Sequence, residues 1–413
     1  MHITVTQEAL PRSVAGRLET ATALLAGLSV VAVLFSIAVS QIFLGAALVA
    51  LLVSRRPFFS PPQLGWPLVA FGGWTLLATV FSSDPAAGLP QVRKLLVLIM
   101  VLVVCNAFQN QAQLWRTIQG VLMGGTVAAC YGLVQFVQDY WRIQREGLPF
   151  YDTYVVHQIT GFMSHWMTFS GELMLVLALL VSLLLFGGGS LSRRWGWLAV
   201  GVIALAILAA FTRGIWLATL VGLTYLVYSY RKWIVLLIPA GVLLIFLLSP
   251  AWMQRREESI FQPTTDSSSM SRIVMAQTGL AMIAAHPVFG LGPERVAAEF
   301  SRYAPPEAAL PEAWYGHLHN TFLQLAAERG IPCMIIILWL FINVLRDGWR
   351  QAAQEVDHPL RALGAAAVAG TIALMVGGLF EYNFGDSEVL MLYLFVISLP
   401  FAWQRRNPAV PPT

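Results

Sequence analysis

The chain has 413 residues, of which 57% are hydrophobic and 11% charged, against about 45–50% apolar and about 25% charged in a soluble globular domain. That composition excludes an ordinary soluble enzyme, and a net charge of +4 on so apolar a chain gives no reason to expect a nucleic-acid partner. Its three cysteines, Cys105, Cys130 and Cys333, are widely spaced in apolar sequence. They read as packing thiols, not as a disulfide framework or a metal site.

A bilayer core needs about 20 apolar residues per helix. Segmenting on that length predicts twelve spans, at 20–36, 37–53, 66–82, 93–107, 117–137, 165–186, 196–212, 213–230, 232–250, 331–346, 361–380 and 387–403. The polar N-terminal stretch does not read as a signal peptide, so the first span is expected to be retained. The basic clusters Arg55–Arg56, Arg193–Arg194, Arg231–Lys232 and Arg405–Arg406 fall on one side of these spans, which by the positive-inside rule puts both termini in the cytoplasm. The expected architecture is an all-α polytopic membrane protein, with residues 1–413 forming one integral membrane domain.

Residues 251–330, between predicted spans nine and ten, form the long hydrophilic insert, expected on the outer face. They open with a charged, Ser-rich stretch. A helix pattern then begins at Ser271, carries Ile273, Gln277, Leu280 and Ala284 on one stripe, and ends at Pro287. A second loop helix is predicted to start near Gly316, run through His317-Leu318-His319-Asn320, and stop at Arg329–Gly330 before span ten.

Charged residues at a membrane boundary are functional candidates by default. Arg213, with long apolar sequence on both sides, reads either as a snorkelling arginine in a tight turn or as a guanidinium aimed at a phosphate. Glu172, two turns into span six, is its candidate ion-pair partner. Arg272, expected in the first turn of the loop helix, is either a solvated arginine or an anion ligand. Arg93–Lys94 is a basic pair on the outer side, read equally as a phosphate contact or as a segmentation error. His317 and His319, two apart on the predicted helix, would point to different sides and do not have metal-pair spacing. One of them is a candidate general base oriented by Asn320 or a backbone group, the alternative being a pair of interfacial hydrogen-bonding histidines. Nucleotide-binding loops, a nucleophile elbow and an Asp-x-Asp pair do not occur.

These features together resemble the bacterial O-antigen ligase family, within the larger O-antigen ligase/polymerase superfamily of membrane glycosyltransferases. The features are the arginine opening an outer span, the arginine in the loop helix, the turn His286-Pro287-Val288-Phe289-Gly290-Leu291-Gly292-Pro293, and His317-Leu318-His319-Asn320 followed by Glu328 and Gly330. Gly161-Phe162-Met163-Ser164-His165 is a weaker element of the same pattern. The resemblance implies GT-C-like architecture in the bacterial inner membrane. It also implies metal-independent, inverting transfer of an O-antigen glycan from undecaprenyl diphosphate to the lipid A–core oligosaccharide at the periplasmic face, with no cofactor. On it, the family's essential histidine maps to His319 and its essential arginines to Arg213 and Arg272, which would bind the donor diphosphate. His317, Asn320, Glu172, Arg93 and Lys94 are possible supporting residues. A polymerase or protein O-oligosaccharyltransferase would share these motifs. A membrane transporter is the non-enzyme alternative, although paired broken helices at matching positions are not visible in the sequence.

Overall fold

A computed structural model describes residues 12–54, 57–187, 192–248, 254, 267–306, 316–353 and 358–406. Among the described residues every regular element is helical. In chain order these are α1 (Arg12–Ala32), α2 (Ile37–Val53), α3 (Pro62–Val80), α4 (Leu89–Lys94), α5 (Ile99–Ala107), α6 (Gln111–Arg145), α7 (Phe150–Tyr154), α8 (Trp166–Phe186), α9 (Arg193–Ala209) and α10 (Arg213–Tyr230). They continue with α11 (Ile238–Leu248), α12 (Ser267–Ala285), α13 (Val296–Tyr303), α14 (Thr321–Ala352), α15 (His358–Gly377) and α16 (Ser387–Arg405).

Among the described residues each predicted span overlaps a helix, with residues 33–35 of the first forming a turn and 249–250 of the ninth lying outside the described residues. The match is to the residue for α2, and α4 and α5 join through the 3₁₀ turn Leu95–Leu98 into one rod. Among the described residues six helices are long and apolar enough to cross a membrane: Leu89–Ala107, α6, α8, α14, Pro359–Gly377 and α16, with α2, Lys232–Leu244 and Met270–Ala285 as shorter apolar helices. Large apolar side chains such as Ile42, Val69, Leu236 and Leu247 point outward. An aqueous surface would not tolerate apolar exposure on this scale, whereas lipid is the solvent that favours it. The chain is a multi-pass membrane protein. The predicted loop's charged opening, 255–266, and the ends of the chain, 1–11 and 407–413, lie outside the described residues.

α8, α15 and α16 form the centre of the bundle, buried along nearly their whole lengths. Lipid supplies no hydrophobic force between helices, so close packing of small residues must hold the bundle together. The run Ala362 to Gly370 of α15 provides that seam. Gly222 of α10 lies against the Ala369 carbonyl and the Ala373 methyl, and Gly364 and Gly348 face each other across α15 and α14.

Two expectations about the loop need correction. α12 begins at Ser267, not Ser271, because the serines are absorbed into its first turn, where a polar side chain competes least with the helix. Arg272 therefore lies beyond the first turn of this helix. The second loop helix is also not a separate element. It starts at Thr321 and continues into span ten through a kink at Gly330, whose φ is +79°.

The HPVFGLGP turn explains how that kink is tolerated. Pro332 has no N–H to give the Glu328 carbonyl, and the Ile331 N–H turns away to the Pro287 carbonyl at 2.8 Å. The two orphaned carbonyls, of Ala327 and Glu328, accept instead from the N–H groups of Leu291 and Gly292, both at 2.9 Å. Such close docking requires bare backbone: a Cβ on Gly330 would lie 1.8 Å from the Val288 carbonyl, and one on Gly290 2.3 Å from the Glu328 carbon. Trp74 and Phe81 stack on Phe289 and fix the tip of the turn against α3.

Candidate active site

The chemistry-bearing residues gather at one end of the bundle, where α8, α10, α14 and α16 begin and α15 finishes. Asn320 caps α14, its Oδ1 accepting from the N–H groups of Phe322 and Leu323 at 3.0 Å each. Its Nδ2 donates to the Leu379 carbonyl at 3.1 Å. Thr321 adds two further ties to the same turn, from its N–H to the Gly378 carbonyl at 2.7 Å and from its hydroxyl to the Glu381 carbonyl at 3.0 Å. The start of α14 is thereby fastened to the turn that follows α15.

That fastening brings His319 to Glu381. The imidazole Nδ1 lies 2.9 Å from Oε2 of the carboxylate, and an Arg272 guanidinium nitrogen donates to Oε1 at 2.8 Å. Glu381 is 1% exposed and His319 6%. A buried carboxylate is costly unless both oxygens are satisfied, and here one oxygen has the histidine and the other the arginine. Burial pushes the Glu381 carboxyl up, but the His319 hydrogen bond and charge, with the Arg272 guanidinium, outweigh it and hold the group below its ordinary 4.5. His319 has a φ of +46°, a left-handed backbone that a non-glycine residue adopts at a cost.

His317 and His319 are not on a helix, which corrects the expectation that their rings diverge. The helix begins two residues after His319 because Asn320 is the better cap, and in the preceding turn the two ring centroids lie 4.2 Å apart. Nδ1 of His317 accepts the His319 backbone N–H at 3.3 Å, so it braces the strained residue. Burial, then the neighbouring His319, lowers His317 to about 4 and keeps its ring neutral. His165 caps α8, its Nδ1 accepting the Met167 N–H at 3.2 Å. It too is lowered, by burial and by His319, with Glu381 opposing.

The other expected residues divide. Arg213 is the first residue of α10 and half-buried, in a turn that places Phe211 at φ +53° against Tyr154. The adjoining Gly214 lies against Phe380, the neighbour of Glu381, so α10 begins beside the cluster. Lys94 reaches the same turn, its Nζ donating to the Gly385 carbonyl at 3.2 Å. Arg93 makes no hydrogen bond or ion pair to the cluster among the described residues. Glu172 is buried, but among the described residues it forms no ion pair with Arg213. The face of α8 that carries it, at Gly171, packs on Asn383 and Val389, and its charged neighbours are Glu388 and Asp386. Asn320 serves as cap and latch, and the group that orients His319 is Glu381.

Sequence reasoning missed Glu381 and underweighted His165. Glu381 follows directly on an apolar span and opens the loop Glu381-Tyr382-Asn383-Phe384-Gly385-Asp386. A carboxylate at a span's outer end was the available signal, but nothing in the sequence joins it to a histidine 62 residues earlier. A second buried group lies nearby. Arg329 is paired with Glu328 at 3.3 Å, donates to Gln91 at 3.1 Å and sits over the Phe71 ring, while Glu328 accepts from Gln324 and from the Glu294 N–H. These bonds clamp the kink of α14 to α4 and to the HPVFGLGP turn.

The chain is thus a multi-pass membrane protein with a buried histidine–carboxylate–arginine centre at one end of its helices. The model of the family described as O-antigen ligase matches residues 198–338, about a third of the chain. The matched stretch holds Arg213, Arg272, His317, His319 and Asn320, while His165 and Glu381 lie outside it. No curated protein matches the chain.

Proposed function

We propose that this protein is the O-antigen ligase itself. It transfers a glycan from undecaprenyl diphosphate to a hydroxyl of the lipid A–core oligosaccharide at the periplasmic face of the bacterial inner membrane. The observation that carries this reading is the Arg272–Glu381–His319 chain. With Nδ1–H given to the carboxylate, Nε2 carries the lone pair. Nε2 takes the proton from the acceptor hydroxyl, the oxygen attacks the anomeric carbon, and the bond to the diphosphate breaks. Undecaprenyl diphosphate leaves with the bonding electrons, and the anomeric centre inverts.

Glu381 stabilises the imidazolium that forms, as a carboxylate does for a catalytic histidine. Arg213 and Arg272 sit where the departing diphosphate needs countercharge, the role a divalent cation fills in other transferases. α8, α10, α14 and α16 all begin at this end, and the partial positive charge of a helix N-terminus favours an anion.

The test is glycan transfer by purified protein offered a lipid-linked glycan with either lipid A–core or a second lipid-linked glycan. Transfer to lipid A–core that His319→Ala abolishes, in a variant that still binds donor, is the expected result. Elongation of the second lipid-linked glycan alone would make the protein a polymerase, and full activity of His319→Ala would remove the base from the mechanism.

A further inference from the structure

Beside the histidine cluster lies an open basin of about 580 Å³. One wall is the end of α6. At 35 residues this helix is about 50 Å long at 1.5 Å per residue and outreaches a hydrocarbon core of about 30 Å. The segment 157–164 and Trp166, the first residue of α8, complete the basin. Trp166 is continuous with the active centre, because its ring stacks on His165 with centroids 4.1 Å apart, and His165 is electrostatically coupled to both His319 and Glu381.

The lining is polar and internally neutralised. Arg142 and Asp139 pair at 2.7 Å, so this pair adds no net charge to the basin wall. Gln158, 7% exposed, donates from Nε2 to the Val155 carbonyl at 3.1 Å. Among the described residues its Oε1 has no hydrogen-bond partner, although the residue lines the basin. A buried amide oxygen without a donor is destabilising, and a rotation of the side chain would present it to a ligand O–H in the basin. An orphaned acceptor, planar amide and carboxylate groups able to take neighbouring hydroxyls in pairs, and a tryptophan ring for a C–H face are together the chemistry that recognises a pyranose.

We infer that this basin is a sugar subsite, holding about two linked pyranose residues of one of the glycans being joined, in a cavity of ordinary ligand size. The inference rests on the glycan-transfer reading. It extends that reading to residues remote from the reacting atoms and outside the family-matched stretch. The sugars come from the lipid-linked donor or from the core acceptor, and the test separates the two.

Gln158→Met removes the amide at nearly constant volume, and Gln138→Ala alters an exposed lining residue whose loss does not threaten folding. Steady-state transfer is measured while donor and acceptor are varied in turn. A rise of about five- to tenfold in one KM, with kcat within about twofold, is expected for Gln158→Met, the loss of one ligand hydrogen bond. A smaller rise in the same KM is expected for Gln138→Ala. A raised donor KM assigns the subsite to the donor glycan, and a raised acceptor KM assigns it to core sugar. Unchanged KM values in both active variants overturn the inference.

Saturation-transfer-difference NMR on the full-length wild-type protein, with lipid-free core oligosaccharide and with lipid-free repeat-unit glycan as probes, gives a readout that does not need turnover. Saturation of either probe that Gln158→Met abolishes upholds a sugar site, and equal saturation in both proteins refutes it. A wild-type protein that transfers no glycan would sink the transferase reading, and the NMR comparison would still decide the basin.

Discussion

Glu381→Gln tests the active centre most sharply, because it keeps the volume of the side chain and changes only its charge and hydrogen-bonding pattern. The carboxylate accepts from His319 at 2.9 Å and from Arg272 at 2.8 Å, and an amide offers one acceptor and one donor. Whichever way the glutamine turns, one of the two N–H groups meets an NH₂, so at least one charge-assisted hydrogen bond is lost. Such bonds are worth about 1.5–3 kcal/mol each. At about 1.4 kcal/mol per tenfold in rate, kcat should fall by about ten- to 150-fold. Donor KM should hold within about threefold if Glu381 acts through His319, since both Arg213 and Arg272 keep their charge for the donor. Glu381→Asp keeps the charge but draws the carboxylate back by one methylene, so it should recover part of the loss. The assay is steady-state transfer with purified variants whose thermal unfolding has been matched to wild type. A well-folded Glu381→Gln with wild-type kcat would show that the contact is structural and that the proton goes elsewhere.

Arg213→Lys and Arg272→Lys retain charge but lose the planar fork, so each should slow transfer by about ten- to hundredfold; equal rates for wild type and both variants would assign these residues to structural pairing. His317→Ala should lower kcat by about two- to tenfold through release of the braced His319 backbone, whereas His317→Asn, which keeps a nearby acceptor, should restore most of it; no difference between the two would refute the bracing role. Burial pushes Asp386 up to about 7 from an ordinary 3.8, against the opposing hydrogen bond from Thr168. The folded protein thus holds this proton more tightly than the unfolded chain does, and the group's contribution to stability is greatest below 3.8 and is lost as pH rises toward 7. Asp386→Asn should flatten thermal stability across pH 4–7, and an unaltered profile would contradict the assignment. Glu381 has the opposite sign: its lowered carboxyl stabilises the fold above 4.5 and ceases to do so as pH falls through its folded value.

The helices were legible because their determinant is local. A run of apolar residues of bilayer length needs no partner to be recognised, and the span 37–53 and the start of α10 at Arg213 coincide with the observed helices. The position of His319 was not legible in the same way. The sequence Gly316 to Glu328 has the composition of a helix, and only the capping bonds of Asn320 decide that the helix starts after the histidines. Once they lie in a turn, the angle between two residues on a helix no longer describes them, and the rings meet. Glu381 was less legible still. Its importance comes from a contact between two inter-helix turns, and that contact exists only because Thr321 and Asn320 bind the backbone of 378–381.

The same logic ties the HPVFGLGP turn to the segment that follows the histidine motif. Without an external donor, the Gly330–Pro332 break would leave the Ala327 and Glu328 carbonyls unpaired inside a membrane protein, where each orphaned group costs several kcal/mol. The turn supplies both N–H groups, and its glycines are required because its backbone lies against the backbone of α14. The break in turn separates the first, site-bearing segment of α14 from the span that follows, so that residues 321–329 can pack on α12 and α13 while the remainder packs on α3 and α15. α12 carries Arg272 and α14 is preceded by His319. The kink therefore sets the approach of the loop arginine to the carboxylate that holds the histidine. What looks in the sequence like two separate motifs is one joint, and its function is to place Arg272 and His319 on opposite oxygens of Glu381.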